Sequence, residues 1–83
     1  MKFKAEIDIM PLKALLDPQG KAVTSSMRSL GLSEIQNVRI GKHISLEIEA
    51  DTKDAASAKV DEACKKLLAN QIMEAYEFHL NQA

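Results

Sequence analysis

The chain has 83 residues and a formal net charge of −1, with 11 basic and 12 acidic side chains. This length predicts one small domain, residues 1–83, whose modest core calls for extra stability from self-association. The balanced charge argues against a nucleic-acid-binding protein, which needs a clustered basic face. No apolar run approaches the ~20 residues of a membrane span. With no signal peptide in evidence and a single cysteine, Cys64, we expect a cytoplasmic protein.

The first predicted element is a strand from Lys2 to Met10. Apolar side chains alternate there with charged ones and would face the core, namely Phe3, Ala5, Ile7 and Ile9. A period of two is typical of a half-buried strand. Pro11 should end it, because proline cannot donate an N–H to a neighbouring strand.

A helix is predicted next, from Pro18 to about Leu30. Asp17 before a proline is a strong start signal, and Gly31 fits a C-cap. Gly20 is unusual in a first turn, since glycine costs roughly 1 kcal/mol relative to alanine in a helix. Either another part of the chain approaches its backbone closely, or the turn bends. The inward stripe is Val23, Met27 and Leu30, with Leu16 packing at the start; the outer face carries Lys21, Ser25, Arg28 and Ser29.

A β-hairpin is predicted over residues 37–50. The second arm alternates, with apolar side chains at Ile44, Leu46, Ile48 and Ala50. A three-residue loop, Gly41 to His43, would pair Ile40 with Ile44 and keep the apolar side chains of both arms on one face. Arg39 would then lie on the polar face.

A second helix and a last strand complete the pattern. Asp51 or Thr52 would cap the helix, and Asn70 would end it. The strand, Glu74 to Leu80, would direct Tyr76, Phe78 and Leu80 inward. The order βαββαβ predicts an α+β fold with an antiparallel-rich sheet and both helices on one face, a ferredoxin-like arrangement. The opposite face would carry charge, from Lys4, Glu6, Asp8, Arg39, Glu47, Glu49 and His79.

Catalytic motifs are absent from the sequence, and no catalytic, cofactor-binding or metal-binding residue is assigned. Cys64 lies on the apolar stripe of the second helix and fits a small buried hydrophobe better than a nucleophile. His43 and His79 lie on separate elements without a second metal ligand at useful spacing. Residues 17–21 could hold an anion at the helix N-terminus, or simply cap the helix. Residues 39–42 could form a basic contact loop or an ordinary charged turn.

Four segments, in order, resemble the PurS family. They are Leu16–Val23 (LDPQGKAV), Leu30–Gly31, Val38–Lys42 (VRIGK) and Lys66–Asn70 (KLLAN). PurS is the small subunit of phosphoribosylformylglycinamidine synthase, an enzyme of de novo purine biosynthesis. The connection after the first strand is longer than in the family, and Gln71 stands where the family often has proline.

The resemblance implies a subunit without an active site of its own. It implies self-association as a dimer or tetramer, and partnership with a large synthetase subunit and a glutaminase subunit, so that ammonia from glutamine reaches formylglycinamide ribonucleotide. The complex would use ATP and magnesium, with no cofactor bound by this chain and neither nucleic acid nor membrane as a partner. The candidate subunit-contact residues are Asp17, Gln19, Gly20, Lys21, Arg39, Gly41 and Lys42.

Two other classes of function remain open at this point. One is a ferredoxin-like regulatory domain that binds a small molecule as a dimer. The other is a small acid–base enzyme that uses His43 or Cys64.

Overall fold

In a computed structural model that describes residues 1–13, 15 and 17–83, the chain forms a three-stranded antiparallel sheet and two α-helices. The sheet has the order β2-β1-β3. The elements are β1 (Lys2–Pro11), α1 (Pro18–Ser29), β2 (Lys42–Glu49), α2 (Lys53–Ala63), a π-helical turn (Cys64–Leu68) that continues α2, and β3 (Glu74–Gln82). The α+β class and the antiparallel sheet are confirmed.

Strand β1 lies at the centre of the sheet because its alternation matches that of both neighbours. Ile7 pairs with Ile44 of β2 on one side and with Phe78 of β3 on the other. The four predicted inward residues of β1 are all buried. The charged face opposite the core is confirmed for Lys4, Glu6, Asp8, Glu47, Glu49 and His79.

Helix α2 covers the apolar face of the sheet. Ala56, Val60 and Cys64 are buried in the core together with the inward residues of β1. The hydroxyl of Thr52 accepts the N–H of Ala55 at 3.1 Å, which confirms the predicted N-cap. The helix ends two residues before the predicted Asn70, which instead organises the turn into β3 through hydrogen bonds to the N–H groups that follow it.

Cys64 is fully buried, and burial raises the pKa of its thiol. We expect Cys64→Ser to lower the free energy of unfolding by about 1–3 kcal/mol, because a hydroxyl would be buried on an apolar stripe. Cys64→Ala should cost less. Denaturant unfolding measures the free energy of unfolding of both variants. Rapid labelling of the native thiol by a bulky reagent would show that Cys64 is not buried.

Helix α1 packs differently from α2. Its predicted start at Pro18 and its end before Gly31 are confirmed. However, no residue of α1 belongs to the hydrophobic core of the described chain. Val23 and Met27 are only half-buried, and Leu30 is 72% exposed. The predicted packing of Leu16 lies outside the described residues.

The prediction that the first arm of the hairpin is a strand is wrong. Residues 38–40 belong to no strand, and β2 pairs with β1 rather than with them. The reason lies in their hydrogen bonds: the N–H of Val38 donates to the hydroxyl of Thr24 at 3.1 Å, and that of Ile40 to the carboxylate of Asp17 at 3.0 Å. Side chains of α1 and its cap thus satisfy the donors that a strand ladder would have used. Arg39 is therefore not on the charged face of the sheet.

Candidate contact site at the first turn of helix α1

The N-terminal turn of α1 and the extended segment 38–40 form a compact unit, which we call the α1 joint. Asp17 holds it together: one carboxylate oxygen accepts the N–H of Gly20 at 3.0 Å, and the other accepts the N–H of Ile40 at 3.0 Å. The bond from Gly20, then the bond from Ile40 and the charge of Arg39, hold the pKa of Asp17 below its ordinary value. Because Asp17 occupies this turn, the N-terminal anion site considered from the sequence is a helix cap.

Gly20 is buried at the centre of the α1 joint. A Cβ there would lie 2.2 Å from the carbonyl oxygen of Val38 and 2.7 Å from a carboxylate oxygen of Asp17. The carbonyl of Gly20 also accepts the hydroxyl of Thr24 at 2.9 Å. The expected close approach at Gly20 is confirmed, and the approaching segment is the one that was predicted to be a strand.

Arg39 braces the joint from inside. Its Nη2 donates to the carbonyl oxygens of Pro11 at 2.7 Å and Leu12 at 3.0 Å, and its Nε lies 3.7 Å from Asp17. These bonds tie the end of β1 to the start of α1 and hold the guanidinium in place. Asp17, Gly20 and Arg39 are brought together, but as a structural unit rather than as projecting contact residues.

The other candidate residues line two open cavities, one on each side of the joint. Gln19, Gly41 and Lys42 line a groove of about 490 Å³ whose far wall is Met73 and Glu74; we call it the β3 groove. Lys42 Nζ lies 3.8 Å from the carboxylate of Glu74 across it. Ile72 and Met73 beside it are 83% and 53% exposed, and exposed apolar surface rimmed by polar groups is typical of protein–protein contacts.

The second cavity, which we call the basic groove, has a volume of about 840 Å³. Lys21 lines it together with Lys13 and Arg28, which the sequence-based site did not include. The shared outer face of Lys21 and Arg28 on α1 was a usable signal for the latter. No local pattern pointed to Lys13, Met73 or Glu74.

A charged cluster lies on the outer face of the sheet, where β1 and β2 meet. His43 Nδ1 lies 2.6 Å from a carboxylate oxygen of Asp8, and its Nε2 lies 2.5 Å from Glu6. Ser45 donates its hydroxyl to the same oxygen of Glu6 at 2.5 Å. The hydrogen bonds from Ser45 and then His43 lower the pKa of Glu6 to about 2, and Asp8 and Glu6 raise the pKa of His43.

We expect the cluster to leave a signature in stability against pH. The contribution of His43 should be fully present below its unfolded pKa of about 6.5 and disappear as the pH rises through the raised folded value. The contribution of Glu6 should be lost as the pH falls toward its lowered folded value. The difference in unfolding free energy between the native chain and His43→Gln should therefore shrink as the pH rises above about 6.5. His79→Gln removes an imidazole from the same face, and a similar pH-dependent loss in that variant would contradict the assignment.

The chemistry of the described residues does not favour the alternative of a small acid–base enzyme. Both nitrogens of His43 are engaged by carboxylates, and Cys64 is buried. Among residues 1–13, 15 and 17–83, no three His, Cys, Asp or Glu side chains form a group suited to a metal ion. In the same part of the chain, no helix has the length and apolarity needed to cross a membrane.

The described residues thus form a small α+β domain with two exposed grooves beside the α1 joint. The family model of PurS, phosphoribosylformylglycinamidine (FGAM) synthase, matches residues 4–82. The PurS subunit of Bacillus subtilis is 38% identical over 80 residues, covering 96% of this chain and 94% of its own length. The chain belongs to the PurS family.

Solved structures agree with this assignment in fold and extent. The crystal structure of PurS from Methanocaldococcus jannaschii, one of the subunits of formylglycinamide ribonucleotide amidotransferase, is 30% identical and superimposes with a TM-score of 0.86, covering 98% of each chain. A chain in the structure of PurLQS from Thermotoga maritima is 33% identical, with a TM-score of 0.89, covering 98% of this chain and 99% of that one.

Proposed function

We propose that this chain is the small subunit of a phosphoribosylformylglycinamidine synthase in purine biosynthesis, where it joins a glutaminase subunit to an ATP-dependent synthetase subunit. The observation that carries the proposal is the match, over nearly its whole length, to a chain of the Thermotoga maritima PurLQS complex. The chain supplies shape and contact surface, whereas the ATP and magnesium consumed in the reaction bind at the synthetase site elsewhere in the complex. The place of action is the cytoplasm.

The β3 groove is the proposed contact surface for a partner subunit. Gln19, Gly41 and Lys42 line it, and the exposed apolar residues Ile72 and Met73 supply the area that a stable contact needs to bury. The α1 joint contributes to the shape of this groove, because Asp17 and Ile40, which it binds, both line it. Lys21 lies on the other side of the joint and is not part of this surface.

Co-purification tests this function directly. A tagged synthetase subunit should retain both this chain and the glutaminase subunit when the three are mixed, and should retain less glutaminase when this chain is left out. Met73→Glu places a charge in the β3 groove and should weaken retention. Ala58→Glu makes the same addition at an exposed position of α2, and equal weakening by both variants would contradict the proposed surface.

The chain also associates with a second copy of itself in this proposal. The stripe of Val23, Met27 and Leu30 on α1 finds no partner in the described core, and a domain of this size gains stability by covering such a stripe. A dimer or tetramer accounts for it.

We expect Met27→Glu to dissociate the assembly, because a buried carboxylate without a partner is costly at an apolar interface. Light scattering at micromolar concentration measures the mass in multiples of 9.2 kDa. Ser25→Glu, on the opposite face of α1, is the control and should leave the mass unchanged. A 9.2 kDa species for the unmodified chain would refute self-association.

A further inference from the structure

The basic groove has a volume of about 840 Å³, and its lining differs in charge from the rest of the chain. Four cationic side chains line it, namely Lys13, Lys21, Arg28 and Arg39, against the single carboxylate of Asp17. The whole chain carries a net charge of −1. This concentration of positive charge is local and is not explained by the contact role proposed for the β3 groove.

The one carboxylate in the basic groove is already neutralised. Both oxygens of Asp17 accept backbone N–H groups, and Arg39 Nε lies 3.7 Å away. In contrast, Lys13, Lys21 and Arg28 form no ion pair with any of the described residues. Three exposed cations are therefore available to a ligand, while the charge of Arg39 is paired with Asp17.

The cations are arranged along one flank of α1. Lys21 and Arg28 are seven residues apart, which at 1.5 Å per residue places their backbones about 10 Å apart on the same face. The side chains of Thr24 and Ser25 line the cavity between them. This length exceeds the span of one phosphate group and suits a row of two or three.

The basic groove and the apolar stripe of α1 can be used at the same time. Lys21, Ser25 and Arg28 precede Val23, Met27 and Leu30 by two residues each, and two residues turn a helix by about 200°. The two sets therefore lie on nearly opposite faces. Self-association through the stripe leaves the cationic face open.

We propose that the basic groove binds the oligophosphate group of a small molecule, which Lys13, Lys21 and Arg28 contact through their cationic side chains. Charge-assisted hydrogen bonds from Lys and Arg to phosphate oxygens are the strongest class available at an exposed site. The phosphates of a nucleoside triphosphate and a free inorganic oligophosphate share this chemistry. The site is separate from the β3 groove and does not depend on the subunit role.

Titration of the native oligomer at low ionic strength tests the proposal, with tripolyphosphate, orthophosphate and ATP as probes. Tripolyphosphate should bind saturably, shift amide resonances of residues 21–28 and 37–39, and bind more tightly than orthophosphate. The double variant Lys21→Gln, Arg28→Gln should raise the Kd for tripolyphosphate by about tenfold or more. Equal affinity for ATP would assign recognition to the phosphates alone, and tighter binding of ATP would add a contact from the nucleoside; both support the site.

The matched control is Lys53→Gln, Lys59→Gln, which removes the same charge from exposed positions of α2. Its Kd should stay within about twofold of the native value. Equal weakening in both double variants would reduce the effect to general electrostatics and overturn the site. An absence of saturable binding, or equal affinity for orthophosphate, would also overturn it. The proposal would also be overturned if the native chain bound no phosphate and the variant Lys21→Gln, Arg28→Gln no longer co-purified with the other subunits. In that case the cations would contact a protein partner instead.

Discussion

Leaving this chain out of a reconstituted synthase is expected to abolish glutamine-dependent product formation and to leave ammonium-dependent formation largely intact. Ammonia released at a glutaminase is useful only if it reaches the synthetase before it escapes into water. A subunit that holds the two enzymes together converts a diffusive transfer into an effectively intramolecular one. The measurement is product formation from formylglycinamide ribonucleotide and ATP, with and without this chain, once with glutamine and once with an ammonium salt.

The two nitrogen sources separate the possible roles of the chain. Unchanged glutamine-driven turnover without it would refute the bridging function. Loss of the ammonium-driven reaction as well would mean that the chain completes the synthetase site. Lys42→Ala should reduce glutamine-driven more than ammonium-driven turnover, because Lys42 lines the β3 groove with an exposed side chain. Arg39→Ala is a poor test of contact, since Arg39 braces the α1 joint.

Replacing Gly20 by alanine is expected to destabilise the chain although alanine is the better helix former. Alanine would gain about 1 kcal/mol of helix propensity. Its Cβ, however, would lie 2.2 Å from the carbonyl oxygen of Val38, and no rotamer change relieves a clash with backbone. Forced overpacking costs about 1–3 kcal/mol, and a contact as close as this one belongs at the upper end of that range. After the gain in helix propensity, the net loss should be about 1–2 kcal/mol, at about 4–8 °C in Tm per kcal/mol for a domain of this size.

Thermal and denaturant unfolding at matched protein concentration measure this effect, since the stability of an oligomer depends on concentration. Ser26→Ala is the control, because it also adds helix propensity, by a smaller amount, at an exposed position of α1. The Gly20 variant should also weaken co-purification with partner subunits, as the α1 joint shapes the β3 groove. A Gly20→Ala chain as stable as Ser26→Ala would show that the joint is not closely packed.

The sheet was predictable where a local pattern coincided with burial. In β1 the alternation of Phe3 to Ile9 has a period of two, and the central position of the strand buries that whole face. The second arm of the hairpin shows the same pattern and became β2. The first arm, Val38 to Ile40, has the alternating pattern but forms no strand. Asp17 and Thr24, more than ten residues away in sequence, accept two of its N–H groups instead.

The candidate contact site was predictable in part for the same reason. The glycine of the first helical turn signalled a close approach, and Asp17 signalled a cap; both lie where expected. The sequence suggested that Arg39 is a free basic residue in a turn. Instead, its guanidinium donates to the carbonyl groups of Pro11 and Leu12, which only the fold brings close to it. Met73 joined the surface only because the turn before β3 meets the start of β2.

The sequence by itself indicated all three strands of the sheet, together with a fourth at residues 38–40 that does not form, as well as how both helices begin and, through its motifs, the family. These features depend on side-chain period and on groups a few residues apart, which the sequence displays directly. Only the tertiary structure decided that α1 stays outside the hydrophobic core of the described residues and that segment 38–40 binds it, creating two grooves. Those outcomes depend on contacts between residues distant in sequence, where several partners compete for the same hydrogen bonds and the whole fold selects one.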